Sequence, residues 1–195
     1  MTAVHQLLPR LAPRDAIGGH TLRVQEALVA AGITSEIYVG EVDPELKGRA
    51  RHYSELTGAR DGEPTWLLYH ASIGGALGDV VLHRPEPLIV DYHNVTPPEY
   101  FEAWQPEVSV LLAAGRRQLA ALAGRAVLGI ADSAFNEGEL RGVGFGRTAV
   151  VPVLLDLGGL VGSSMWGFWR GCRVCRGRVG CLWGGWRRTR RSMIW

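Results

Sequence analysis

Short runs of aliphatic and β-branched residues alternate along this chain with segments of helical periodicity, and this alternation is the strongest constraint on its fold. Strands separated by helices predict a parallel sheet, because each crossover helix returns the chain to the same edge. The predicted strands are Val4 to Leu8, Ser35 to Val39, Thr65 to Tyr69, Leu88 to Tyr92, Val127 to Ala131 and Thr148 to Pro152.

Two of the intervening segments have one apolar face and are predicted to be amphipathic helices, Thr21 to Ala31 and Glu107 to Ala123. Gly32 is placed to end the first helix, and Pro106 stands just ahead of the second. The fold class that follows is α/β, a Rossmann-like, doubly wound parallel sheet. Ligands of such domains bind at the carboxyl ends of the strands, so the loops found there hold the candidate site.

The loop after the first predicted strand contains Gly18 and Gly19, followed by His20. Without side chains, two glycines ahead of a helix let backbone N–H groups approach a phosphate. The pair lacks the G-x-G-x-x-G dinucleotide fingerprint, and the geometry of a tight turn explains it equally well. Both interpretations remain open at this point.

Two histidines follow neighbouring predicted strands, His70 after the third and His93 after the fourth. A histidine at this rim can orient or polarise a substrate hydroxyl, although it can also be a passive hydrogen-bonding partner. Asn94 extends the same loop, and Ser133 follows the fifth strand, where capping of the next helix is its default role. Two histidines without a third ligand do not make a metal site, so no metal is expected.

Composition changes abruptly at Gly162. The last 33 residues hold all three cysteines, five of the seven tryptophans, eight arginines and no acidic residue, whereas the preceding part carries a net charge of −6. We therefore divide the chain into a Rossmann-like domain, residues 1–162, and an irregular Arg/Trp/Cys-rich tail, residues 163–195. The first part contains no cysteine, and the chain has neither a secretion signal nor an apolar run of membrane-spanning length, so a soluble cytoplasmic protein is expected.

The first ~160 residues resemble the N-terminal half of family 4 glycosyltransferases, whose GT-B fold pairs two Rossmann-like domains. The resemblance is carried by the segments PRDAIGGHTLRVQEALVAAGITSEIYVG, LLYHASIGG, LIVDYHNVTPPEYF and ADSAFNEGELRGVGFGRTAVVPVLLD. It implies a nucleotide diphosphate sugar as donor substrate, a hydroxyl acceptor and no separate cofactor. By resemblance, Gly18 and Gly19 meet the donor diphosphate and His93 lies near the reacting sugar. From their places in the rim loops, His20, His70, Asn94 and Ser133 are expected to contact substrate.

The tail has three interpretations. Cys172, Cys175 and Cys181 are one ligand short of a closed zinc site, and the Arg/Trp mixture suits nucleic acid. Alternatively, the tail is out of frame and disordered: a one-base shift permits LVGRLAPNKAQYDL from the codons of Cys181 to Trp195, which resembles the opening of the family's donor domain.

The frameshift interpretation predicts a truncated glycosyltransferase that is inactive alone, with no nucleic-acid partner and no membrane span. Peripheral membrane contact stays open. The alternative from another functional class is a non-catalytic Rossmann-like binding module.

Overall fold

A seven-stranded parallel sheet is the centre of the protein, which is represented by a computed structural model that describes residues 2–58 and 64–154. Its strand order is β3-β2-β1-β4-β5-β6-β7, and each neighbouring pair is parallel. The strands are β1 (Ala3–Leu11), β2 (Ile37–Val42), β3 (Arg51–His52), β4 (Thr65–Ala71), β5 (Leu88–Tyr92), β6 (Leu128–Ala131) and β7 (Thr148–Val150).

In the described part of the chain, four α-helices cover the two faces of this sheet: α1 (Ala16–Ala30), α2 (Ala76–His83), α3 (Pro106–Ala123) and α4 (Ala134–Gly142). Leu22 of α1 packs against a small core on one face, formed by Leu8, Leu11, Ile37 and Val39. The larger core on the other face joins α2, α3 and α4 to the strands through residues such as Leu77, Leu112 and Leu140. The predicted Rossmann-like α/β fold is therefore confirmed.

Most predicted elements are present, and the differences have local causes. Helix α1 begins at Ala16, five residues earlier than predicted, because the Asp15 side chain caps it by accepting a hydrogen bond from the Gly18 N–H. Gly32 has a φ of 77° just beyond α1, as expected for a glycine that ends a helix, and Pro106 is the first residue of α3.

The predicted division of the chain into a domain and a tail stays a prediction. Met1–Leu155 forms one compact unit. The predicted tail, residues 163–195, lies outside the described residues, and so does the predicted boundary at Gly162. Among the described residues, no helix combines the length and the hydropathy that crossing a membrane requires.

Candidate functional site

Four side chains meet at the carboxyl ends of β4 and β5, on the face of the sheet that α1 covers. His70 of β4 and Asp91 of β5 are paired in register, His20 comes from α1, and His93 follows β5 directly. The cluster lies beside β1, from which the strand order runs outward in both directions. Open α/β sheets bind ligands at such a switch point.

One oxygen of Asp91 is the centre of this cluster. Its Oδ2 atom lies 3.0 Å from His20 Nε2, 3.4 Å from His70 Nδ1 and 3.5 Å from His93 Nε2. Asp91 and His20 are each 3% exposed, and His70 is completely buried. A carboxylate this deeply buried is tolerated because it is hydrogen-bonded to His20 Nε2.

The alternation of side chains along the strands explains why these groups face each other. Tyr69 and Tyr92 point into the large core on the α2 face, so the adjacent His70 and Asp91 point to the opposite face. The His93 N–H donates to the Ala71 carbonyl at 3.0 Å, which continues the ladder one residue past β5. This bond fixes the backbone that carries the His93 ring.

The proton on His20 is determined by its two neighbours. The Leu154 backbone N–H donates to His20 Nδ1 at 2.9 Å, so this nitrogen has no proton of its own. His20 Nε2 is therefore the donor toward Asp91. The same contact connects α1 to the end of the described chain, 134 residues later.

Both Asp91 and His93 have perturbed pKa values. Burial alone would raise the pKa of Asp91, but the hydrogen bond from His20 and the nearby imidazoles of His70 and His93 outweigh it and hold the pKa well below its ordinary value. Burial lowers the pKa of His93 to about 4; the nearby Asp91 raises it and His70 and His20 lower it further. At neutral pH, Asp91 is ionised and His93 is neutral.

The depressed pKa of His93 predicts a specific loss of stability in acid. In the unfolded chain this histidine binds a proton below about pH 6.5, whereas in the folded chain it does so only near pH 4. The unfolded state therefore binds more protons in this window, and stability falls by about 3 kcal/mol as the pH is lowered through it.

Urea unfolding of the wild type and of His93→Gln at pH 7 and pH 4.5 measures this contribution. Lowering the pH from 7 to 4.5 should reduce the free energy of unfolding of the wild type more than that of His93→Gln. Equal pH dependence in both proteins would contradict the assignment of a buried, neutral His93.

The two predicted histidines are joined by a third histidine and a carboxylate, and the potential metal-ligand atoms of all four side chains lie within 4.8 Å of one another. His70 Nδ1 and His93 Nε2 are 3.0 Å apart, and the nearly parallel rings have centroids 5.3 Å apart. The distance between the ring centroids equals the distance between the two nitrogens plus the two ring radii. The nitrogens therefore point at each other along the line that joins the rings, as in a hydrogen bond. His20 Nε2 carries a proton and cannot ligate a metal. The arrangement fits a hydrogen-bonded network and not a metal centre.

The two predicted phosphate-binding glycines lie inside α1 and not in the loop before it. The Gly18 N–H donates to the Asp15 carboxylate at 2.8 Å, and the Gly19 N–H donates to the Asp15 carbonyl at 2.9 Å. A Cβ on Gly18 would lie 3.1 Å from the Ala12 carbonyl oxygen, whereas one on Gly19 would meet no atom within 4 Å. Only Gly19 therefore leaves open space at the surface of the helix.

Asn94 and Ser133 lie on adjacent loops of the same rim. Asn94 has a φ of 69° in the left-handed region, and its side-chain amide donates to Asn136 Oδ1 at 2.9 Å. Asn136, which is buried, in turn donates to the Asp132 carboxylate at 2.6 Å. Ser133 caps α4 by accepting from the Asn136 N–H, which confirms its expected capping role. These bonds join the His93 loop to the start of α4.

A cavity of about 280 Å³ opens at the same edge of the sheet but on the α2 face. Tyr53 and Tyr69 line it together with the first turn of α2 and the glycine-containing loop before that helix. The predicted strand ends at Tyr69, but β4 continues to Ala71, so His70 lies inside the strand and belongs to the buried cluster. Residues 73–75, in the loop after β4, line the cavity.

Sequence reasoning located His20, His70 and His93 but missed Asp91 and Gln6, which bonds to His70. Each of the two lies inside a strand and is less than 4% exposed. For Asp91 the available signal was a single charged residue in an otherwise apolar strand, since such a residue needs a partner on the neighbouring element. Gln6 gave no such signal, because β1 also contains His5 and Arg10.

A scan against models of known protein families finds no match to this chain, and a search of the curated proteins finds no significant relative. The chemical interpretation of the site therefore depends on its geometry and on the resemblance of the motifs.

Proposed function

We propose that residues 2–154 form the N-terminal half of a GT-B glycosyltransferase, which transfers a sugar from a nucleotide diphosphate donor to a hydroxyl acceptor. The observation that carries this proposal is the Nδ1 atom of His93. Its side chain is 2% exposed, and this nitrogen has no hydrogen-bond partner among the described residues. A buried polar atom in this state costs free energy, and a sugar hydroxyl that donates to it would remove that cost.

The neighbouring residues have proposed roles that follow from their positions. The donor diphosphate lies beside Gly19, where the helix surface is open, and not at Gly18, whose N–H is engaged by Asp15. Asn94 and Ser133 border the sugar from the adjacent loops, and the cavity beside α2 receives the acceptor. His20 and His70 are buried, and they position Asp91 and His93 through hydrogen bonds.

The proposed reaction breaks the bond between the anomeric carbon and the diphosphate oxygen. A new bond forms between that carbon and the acceptor oxygen, and the acceptor proton leaves with the diphosphate. The charge that develops on the diphosphate needs cationic groups, which the resemblance assigns to a donor-binding domain. The described residues supply position and hydrogen bonds to the sugar.

Calorimetric titration of the 195-residue chain with UDP-glucose, GDP-mannose and the corresponding nucleoside diphosphates tests this function. We expect saturable, micromolar binding of at least one nucleotide sugar, weakened about tenfold in His93→Ala by loss of a hydrogen bond in a desolvated site. His83→Ala is the matched control, because His83 is exposed at the far end of α2. Binding of the nucleoside diphosphate and the nucleotide sugar with equal affinity would instead indicate a nucleotide-binding module.

A further inference from the structure

We propose that Gln6 is a positioning residue that determines which nitrogen of His93 carries the proton, acting through His70. Only the statement that His93 contacts a ligand rests on the proposed function; the location of the proton does not. Gln6 is fully buried in the middle of β1 and is separated from His93 by the whole His70 ring.

The orientation of the Gln6 amide follows from its contact with α1. The Gln6 Nε2 atom lies 3.1 Å from the Thr21 backbone carbonyl oxygen, which can only accept a hydrogen bond. The NH₂ group must therefore face α1, and a weaker contact of 3.5 Å to Ser35 Oγ is on the same side of the amide. This leaves Gln6 Oε1 facing β4.

The Gln6 oxygen fixes the tautomer of His70. It lies 3.0 Å from His70 Nε2, and because a carbonyl oxygen cannot donate, His70 Nε2 carries a proton. In the arrangement that we propose this is the only proton of the ring, so the lone pair is on Nδ1. That nitrogen lies 3.0 Å from His93 Nε2 and accepts a hydrogen bond from it.

The same logic fixes His93. A neutral ring that donates through Nε2 has a bare nitrogen at Nδ1, and this is the atom without a partner among the described residues. Burial keeps His93 neutral at pH 7, since it lowers the pKa of this ring to about 4. The site therefore presents a hydrogen-bond acceptor to a ligand hydroxyl. The side-chain oxygen of Gln6 on β1 determines this polarity through the His70 ring.

The ionised Asp91 makes this arrangement sensitive to Gln6. His70 Nδ1 is 3.4 Å from the Asp91 carboxylate, so without the Gln6 oxygen the His70 proton would move to Nδ1 and face this charge. His93 Nε2 would then meet an N–H group and become the acceptor. The proton of His93 would move to Nδ1, and the site would present a donor.

Nitrogen-15 NMR of histidine-labelled full-length protein tests the proposal, because protonated and bare imidazole nitrogens have well-separated shifts. In the wild type at pH 7 we expect the Nε2–H tautomer in both His70 and His93. In Gln6→Leu both should change to the Nδ1–H tautomer. Gln25→Leu is the matched control; its amide also bonds α1 to the Ser35 carbonyl at 2.9 Å but lies outside the relay, so both rings should stay as in the wild type.

An Nδ1–H tautomer of His93 in the wild type overturns the proposal, and this result needs no variant. Unchanged tautomers in a folded Gln6→Leu overturn it as well, and Gln6→Met replaces that variant if it does not fold. A confirmed tautomer together with no nucleotide-sugar binding would contradict the proposed function alone. If both stand, Gln6→Leu should bind the sugar about tenfold more weakly, with the Gln25→Leu affinity unchanged.

Discussion

Replacing Asp91 with alanine is expected to lower the free energy of unfolding by about 3 kcal/mol, because the buried His20 Nε2–H then loses its acceptor and the cluster loses its buried carboxylate. His20 Nε2 is the group most affected, at 3.0 Å from the carboxylate that would be removed. Its other nitrogen already accepts from the Leu154 N–H, so a change of tautomer cannot relieve the loss. Urea unfolding at pH 7 measures the effect.

Two further variants show whether the loss of stability comes from the missing acceptor oxygen of Asp91. Asp91→Asn keeps one oxygen and nearly the same volume, so we expect it to lose less stability than Asp91→Ala. Glu26→Ala removes a carboxylate that is 53% exposed and pairs with Arg23 on the surface of α1; it should change stability by no more than about 0.5 kcal/mol. Equal stability of Asp91→Ala and the wild type would show that the cluster is not held together by this carboxylate.

The second large effect is expected at Gly74, where the loop after β4 touches α3. A Cβ at Gly74 would lie 2.2 Å from the Gly115 nitrogen and 2.6 Å from the Leu111 carbonyl oxygen. Both are backbone atoms of a helix, which cannot move aside as a flexible side chain can. Gly74→Ala should therefore cost about 3 kcal/mol and disturb the cavity that this loop lines.

The reciprocal contact provides a check on this prediction. A Cβ on Gly115 would lie 2.7 Å from the Gly74 nitrogen, so Gly115→Ala should also destabilise the protein. Gly138→Ala is the matched control in α4, where a Cβ meets no atom within 4 Å and alanine is the better helix former. Thermal unfolding of the three variants should rank Gly74→Ala lowest. The same melting temperature for Gly74→Ala and Gly138→Ala would contradict the close approach of loop and helix.

The sequence was sufficient for the elements that bury a regular apolar pattern, and insufficient for those that do not. The run from Leu88 to Tyr92 predicted β5 with the bounds it has. Strand β3 has only two residues, both exposed, and therefore carries no hydrophobic signal. Helix α2 follows two glycines and spans only eight residues. A segment of this length is too short to show a helical repeat of apolar residues that would distinguish it from a loop.

The candidate site was only partly predictable for a different physical reason. The rule that ligands bind at carboxyl ends of strands located His70 and His93. The rule does not predict the register between strands, nor which face of a helix is turned toward the sheet. Both determine that His20 lies 3.0 Å from Asp91, a residue 71 positions further along the chain. The assignment of protons also depends on long-range contacts, since Gln6 and His70 are 64 residues apart.

We propose that His93 Nδ1, held bare by the buried cluster, accepts a hydrogen bond from a sugar hydroxyl of a nucleotide donor. Titration of wild type, His93→Ala and His83→Ala with the same nucleotide sugar tests it most directly. The account predicts saturable binding by the wild type and the His83 variant, and about tenfold weaker binding by the His93 variant. Equal affinity of all three proteins, or no binding of any nucleotide sugar by the wild type, would contradict it.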